Sequence, residues 1–125
     1  MKRNILIGGA WPYGNYLLHI GHLAALLPAD IIARYYRGCG DEVIYVSGTD
    51  AHGTPITERA KKEGKKPEEI ANYYHEEFVK TFDLFNFSYD MYTITDSEEH
   101  MSKVQEYFLK IKENGYLYEK EIEEK

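Results

Sequence analysis

Two short apolar runs, Ile5-Leu6-Ile7 and Val43-Ile44-Tyr45-Val46, are bounded by glycine, charged or polar residues. Runs of that length read as buried strands, so strands are expected over 4–10 and 42–47. Between them Leu23, Leu26, Leu27, Ile31 and Ala33 recur at helical spacing and predict an apolar helix face over 19–37. Pro28 falls inside that helix and should kink it near the middle. Gly38 and Gly40 should end it. Strand, helix and strand in this order predict one right-handed parallel unit.

Downstream the pattern becomes helical. Thr54 is expected to cap a short helix with Pro55 in its first turn, running to Glu63 and stopped by Gly64. Pro67-Glu68-Glu69 should open a longer helix to about Phe85, with acids where the helix dipole favours them. A short strand is expected over 92–95. Asp96 or Ser97 should then cap a last amphipathic helix carrying Val104, Tyr107, Phe108 and Ile111, stopped by Gly115. Residues 116–125 are charged and expected to fray. No internal repeat is present.

Length and charge narrow the classes. A chain of 125 residues is expected to be one domain with a modest core. Fifteen Lys and Arg against 21 Asp and Glu give a net charge of −6, which argues against a broad nucleic-acid surface but leaves room for a local phosphate site. No apolar run approaches the roughly 20 residues that span a bilayer, so no membrane association is expected. The start, Met1-Lys2-Arg3-Asn4, lacks the pattern of a signal peptide, which makes the cytosol the expected location. Cys39 is the single cysteine, so neither an intrachain disulfide nor a Cys-rich zinc site is expected. It reads as an inert turn residue.

The chemistry concentrates in Ala10-Trp11-Pro12-Tyr13-Gly14-Asn15-Tyr16-Leu17-Leu18-His19-Ile20-Gly21-His22. Pro, Gly and Asn predict an irregular turn leading into the helix. His19 and His22, three apart at a helix start, share one face. Gly21 between them lets a ligand approach the backbone. The helix N-terminus favours an anion, and two imidazole donors suit a phosphate whose charge grows in a transition state. A metal pair would need the four-residue spacing and neighbouring Glu of zincins, which are absent. Asp50 follows the second strand, where open α/β sheets bind ligands. His52 could act there or merely brace the loop. His75 and His100, among Glu and Tyr on helices, read as surface residues, and the many Tyr as packing.

Ala10 to His22 resembles the first signature of class I aminoacyl-tRNA synthetases, in the form found in the methionyl-tRNA synthetase family. Gly48-Thr49-Asp50-Ala51-His52-Gly53-Thr54-Pro55-Ile56 resembles that family's second block. Phe85-Asn86-Phe87-Ser88-Tyr89-Asp90 and Asn114-Gly115 also fit, so the likeness covers nearly the whole chain. It implies the first half of a Rossmann-like α/β nucleotide-binding fold, a parallel sheet with flanking helices. It also implies methionine activation by ATP to methionyl-adenylate, then transfer to tRNA. By that resemblance His19 and His22 are catalytic, and His19, Gly21, His22 and Asn15 bind ATP, with adenine packing close at Gly21. Trp11, Pro12, Tyr13 and Asp50 bind methionine, Asp50 through the substrate ammonium. Mg2+ would accompany ATP, bound through its phosphates.

The chain departs from the family at Tyr16, where Gly is usual, at Leu17, often Pro, and at Gly14, often Ala. Were a positive φ needed at position 16, Tyr would cost about 1 kcal/mol. Met101-Ser102-Lys103 only superficially matches the family's Lys-Met-Ser-Lys-Ser loop, since it lies within a helical pattern. Residues 1–125 are therefore expected to be the N-terminal half of the catalytic domain, with 116–125 leading toward the family's connective insertion. Contacts with tRNA, a zinc knuckle and the second half of the phosphate clamp are expected elsewhere, either further along the family's polypeptide or on a second one. Two rival readings are a small nucleotidyltransferase, which also uses a His-x-Gly-His turn, and a non-catalytic truncated or split-synthetase binding module.

Overall fold

The computed structural model describes residues 2–121. Its elements are β1 (Asn4–Gly8), α1 (Ile20–Gly38), β2 (Glu42–Thr49), α2 (Thr54–Glu63), α3 (Pro67–Leu84), β3 (Met91–Ile94) and α4 (Glu98–Glu113). The strands form one parallel sheet in the order β1-β2-β3. Ile7 stands opposite Tyr45, and Thr49 opposite Ile94. Residues 116–121 carry no helix or strand, and the rest of the expected tail lies outside the described residues. None of the described helices is long and apolar enough to cross a membrane.

The core sits on one face of the sheet. Tyr45, Ser47 and Thr49 of β2 are fully buried there. Leu26 of α1, Ile56 and Ala60 of α2, and Ile70, Ala71, Tyr74, Phe78 and Phe82 of α3 form one buried cluster with Ala51. The opposite face is open, which corrects the expectation of fully buried strands. Leu6 and Ile44, partners in the β1–β2 register, are 72% and 57% exposed. The apolar run was long enough for burial on both sides, but helices α1 to α3 pack their buried residues into a single cluster.

Helix α1 buries part of the expected stripe, with Leu23 packed against the core, and adds Asp30 to it. Leu26, Asp30 and Ala33 face inward, four and three residues apart, while Leu27 and Ile31 are exposed. The carboxylate of Asp30 accepts the Ser88 amide at 2.6 Å, the Ser88 hydroxyl at 2.7 Å and the Arg34 Nε at 2.6 Å. Arg37 donates to the Ser88 carbonyl and to Asp90, which in turn accepts the Tyr45 amide at 2.7 Å. This network ties the middle of α1 to the segment between α3 and β3. Burial alone would raise the Asp30 carboxyl. The bonds from Arg34 and Ser88 outweigh it and hold the group below its ordinary range.

Local boundaries moved by small amounts. Helix α1 continues through Pro28 and Gly38, and exposed Cys39 caps it, with Gly40 at φ 85°. Gly53, at φ 127°, occupies the cap position of α2, and Thr54 is its first residue. Gly64 closes α2 in the left-handed conformation, as expected. Ser97, rather than Asp96, caps α4 by accepting the His100 amide. Met101-Ser102-Lys103 lies inside α4, as its helical pattern indicated. Asn86, at φ 54°, is the one described non-glycine residue with positive φ, so the Tyr16 backbone carries no such strain.

Candidate functional site

The segment after β1 is drawn alongside the end of β2. The Gly9 amide donates to Val46 at 2.8 Å. The Asp50 amide then donates to the Pro12 carbonyl, and the Gly14 amide to the Asp50 carbonyl, both at 2.9 Å. Tyr13 and Asp50 thereby form an isolated parallel bridge beyond the strands. Both motifs thus meet at the C-terminal edge of the sheet, where this class of fold binds ligands.

Trp11 folds over the otherwise open sheet face. Its indole lies so close to Gly48 that an added Cβ would sit 2.6 Å from the ring Cη2 and 2.6 Å from the Thr93 carbonyl. Gly48 therefore keeps the Trp11 seat clear. Beside the indole stands His100, ring centroids 6.1 Å apart. Trp11 and Tyr13 remain 36% and 48% exposed, which suits a pocket wall better than a core.

His19 is the N-cap of α1 rather than a helical residue. Its Nδ1 accepts the Gly21 amide at 3.0 Å, while His22 Nδ1 accepts the His19 amide at 3.2 Å. This reciprocal arrangement is a capping box built from two imidazoles. It has a chemical consequence. A nitrogen that accepts carries no proton, so in both neutral rings the proton belongs on Nε2, which can donate. The ring centroids lie 3.9 Å apart, and both residues line one cavity. Partial burial and the neighbouring His19 both lower the His22 pKa, favouring that neutral form.

Gly21 has a structural reason that sequence reasoning missed. A Cβ there would meet the His19 ring at 2.9 Å. The capping imidazole takes the Cβ direction of Gly21, while Gly21 itself stays exposed. The capping bonds also occupy the Gly21 and His19 amides, so an anion here meets imidazole edges rather than those amides.

Five of the expected site residues, Tyr13, Asn15, His19, His22 and Asp50, line two cavities, whereas Trp11, Pro12 and Gly21 line neither. One, of about 270 Å3, is lined by Tyr13, Asn15, Tyr16, Leu17, His19, His22 and the buried Phe78. The other, of about 360 Å3, holds Asp50, His52, Thr95 and His100 with Met101, Val104 and Gln105 of α4. The Tyr13–Asp50 bridge joins them. Asp50 Oδ1 accepts the His52 amide at 3.1 Å, which fixes the loop. His52 Nε2 lies 3.4 Å from Asp96. A third concavity, about 620 Å3 over Asn4–Leu6 and Glu42–Ile44, contains none of these motif residues and is the open sheet face. Among the described residues no group of three or more His, Cys, Asp or Glu could hold a metal ion.

Two histidines expected at the surface are not free there. His100 is half-buried against Trp11. His75, also half-buried, pairs through Nδ1 with the Thr49 hydroxyl at 2.8 Å and stacks on Tyr92 at 5.7 Å. A helix among Glu and Tyr gave no sign of either partner, since Thr49 is 26 residues away in sequence. Burial lowers the His75 pKa from 6.5, against a smaller opposing effect of Glu76. The unfolded chain thus takes up this proton first. Stability is full above about pH 6.5 and declines as pH falls toward the folded value. Melting temperatures measured from about pH 7.5 to 5 should fall less steeply in His75→Gln than in the parent. An unchanged slope would contradict this assignment.

The residues then find their relatives. The model of the tRNA synthetases class I (M) matches residues 5–125. A methionine–tRNA ligase of Bacillus mycoides (strain KBAB4) is 58% identical over 121 residues, covering 97% of this chain and 22% of the relative. One of Streptococcus pneumoniae (strain CGSP14) is 59% identical with the same coverage. The chain therefore spans about a fifth of the length of these curated relatives. Mycobacterium tuberculosis methionyl-tRNA synthetase in complex with methionyl-adenylate superposes with a TM-score of 0.85 at 25% identity, over 92% of this chain and 22% of that one. A ternary complex of Agrobacterium radiobacter K84 LeuRS with tRNA and LeuAMS has a TM-score of 0.87 at 24% identity, over 94% and 15%, and shares the fold.

Proposed function

The chain belongs to the tRNA synthetases class I (M), and from that premise we propose that it supplies the ATP-phosphate and substrate-ammonium contacts for methionine activation. The observation that carries this reading is the imidazole capping box, which occupies Nδ1 of both rings and leaves Nε2 to donate, on two residues that line one cavity at a helix N-terminus. Methionine's carboxylate attacks the α-phosphate of ATP, and pyrophosphate leaves. His19 and His22 donate to phosphate oxygens as their charge grows. Asn15 binds ATP from the same cavity, and Gly21 acts by admitting the His19 ring. Asp50 holds the amino acid's ammonium at the sheet edge. Trp11 and Tyr13 wall the adjoining space, and Pro12 fixes Asp50 through its carbonyl. Magnesium arrives on the ATP phosphates, which suits a site without a protein metal cluster. Transfer to tRNA is assigned to parts of the family's polypeptide beyond these residues.

A second polypeptide that completes the site is favoured by one observation, the open apolar face around Leu6, Ile44 and Met91. Methionine-dependent ATP–pyrophosphate exchange tests both readings. Exchange that appears, alone or on adding the remainder of a synthetase, and disappears in His22→Ala supports the assignment. Pyrophosphate release driven by a pantetheine phosphate instead of methionine would overturn it.

A further inference from the structure

The chain carries −6 overall, yet residues 59–66 hold Arg59, Lys61, Lys62, Lys65 and Lys66 against one acid, Glu63, a local charge of +4. The other ten Lys and Arg face 20 acids, so the rest of the chain carries −10. The fold gathers the cations at one corner. Helix α2 ends at Glu63, Gly64 turns the chain in the left-handed conformation, and the Lys65 amide donates back to the Ala60 carbonyl at 3.0 Å. Pro67 then opens α3. All four lysines are exposed. Glu63 pairs with Arg59 and with Lys65, and Glu69 accepts the Lys66 amide at 2.8 Å. None of the ion pairs among the described residues includes Lys61, Lys62 or Lys66. By contrast Lys80, Lys103 and Lys110 on α3 and α4 each hold a carboxylate. The dipole of α2 accounts for Lys61 and Lys62 in its last turn. It does not account for Lys66, which stands at the N-cap of α3, the end that disfavours a cation. Helix α2 also borders the histidine cavity: the Arg59 guanidinium lies 4.7 Å from the ring centroid of Tyr16, which lines it.

We propose that Lys61, Lys62, Lys65 and Lys66 form a docking surface for the phosphate backbone of an RNA strand. Such a strand carries one charge per nucleotide and can meet several lysines at once. The −10 carried elsewhere repels a polyanion, which confines the contact to this corner. Lysine meets phosphate as a point charge and reads no base. Residues 59–69 include no aromatic on which a base could stack, so the contact is independent of sequence. RNA is the strand because the chain belongs to a tRNA synthetase family. The surface adds to the RNA contacts expected elsewhere, and it does not depend on the reading of the histidine cavity.

Fluorescence anisotropy of a labelled RNA hairpin with a single-stranded tail, titrated with the chain at salt from about 25 to 150 mM, tests the surface. Lys61→Gln combined with Lys62→Gln is expected to weaken binding roughly tenfold or more and to flatten the plot of log affinity against log salt by about 1 for each lysine lost. Lys65→Gln with Lys66→Gln should do the same. Lys110→Gln with Lys112→Gln on α4 changes the net charge equally and should stay within about twofold of the parent. These lysines are all exposed, so the parent's melting temperature should persist in each variant. If the corner variants lose no more than the α4 variant, net charge rather than the corner attracts RNA and the proposal falls. It falls as well if the parent leaves the hairpin unbound at the lowest salt, or if poly-L-glutamate of equal charge displaces the hairpin as readily as unlabelled RNA does.

Discussion

Replacing Asp30 by alanine is expected to destabilise the chain by about 3 kcal/mol, measured as a shift in urea midpoint at constant slope. The carboxylate is 4% exposed and accepts three bonds, two of them from Ser88. Without it the Ser88 amide and O–H lose their acceptor in a half-buried segment, at roughly 1–3 kcal/mol for each group left unsatisfied, although Ser88 Oγ still accepts from Arg37. Water could restore part of that. Arg34 is about half exposed and can rehydrate, which keeps the total below the full cost of breaking a buried pair. For the same reason Arg34→Ala should cost no more than about 1 kcal/mol. Equal losses in the two variants would show that the ion pair, rather than the Ser88 anchor, carries the network.

His22→Ala is expected to reduce methionine-dependent exchange by about 10²- to 10³-fold, the usual effect of removing one transition-state donor. The loss should fall on turnover more than on the KM for ATP, because the donation strengthens as charge develops. The substitution also deletes half of the capping box, since His22 Nδ1 accepts the His19 amide. His22→Asn separates the two roles. Its side-chain oxygen can take the capping bond and its amide can donate. It should keep the parent's melting temperature and recover part of the turnover. A variant as stable as the parent yet as inactive as alanine would mean that imidazole chemistry itself, not donation, is required.

Most of the elements were legible because their signals are local. The short apolar run, the Gly64 and Gly115 stops and the acids after Pro67 each act within a turn of their own position. The meeting of the two motifs at the sheet edge also followed from their places after consecutive strands. What stayed hidden depends on distant partners. Nothing local marks Asp30 for burial, because Ser88 is 58 residues away. His75 became half-buried because β2 brings Thr49 against α3. The open sheet face could not be read from strands whose composition suited burial on both sides.

The candidate residues could be named from the sequence, but their geometry could not. His19 and His22 were recognisable as a pair, yet their separation alone did not show that each caps the other's backbone. The signal was available: a polar acceptor at the cap and another three residues later is the capping-box pattern, here written in histidine. Reading it would have given Gly21 its actual task. That Asp50 lies beside Pro12 and Gly14 needed the backbone bonds Asp50 makes to both.

The central claim is that the capping box presents two neutral imidazoles, protonated on Nε2, to a phosphate. Nitrogen NMR of histidine-labelled chain during titration with magnesium ATP tests it most directly. Before ATP, both His19 and His22 should show the Nε2-protonated tautomer. On titration, both Nε2 signals should shift together, while His75, bound to Thr49, stays still. Protonation on Nδ1 in either ring, or an ATP titration that leaves both Nε2 signals unmoved, would contradict it.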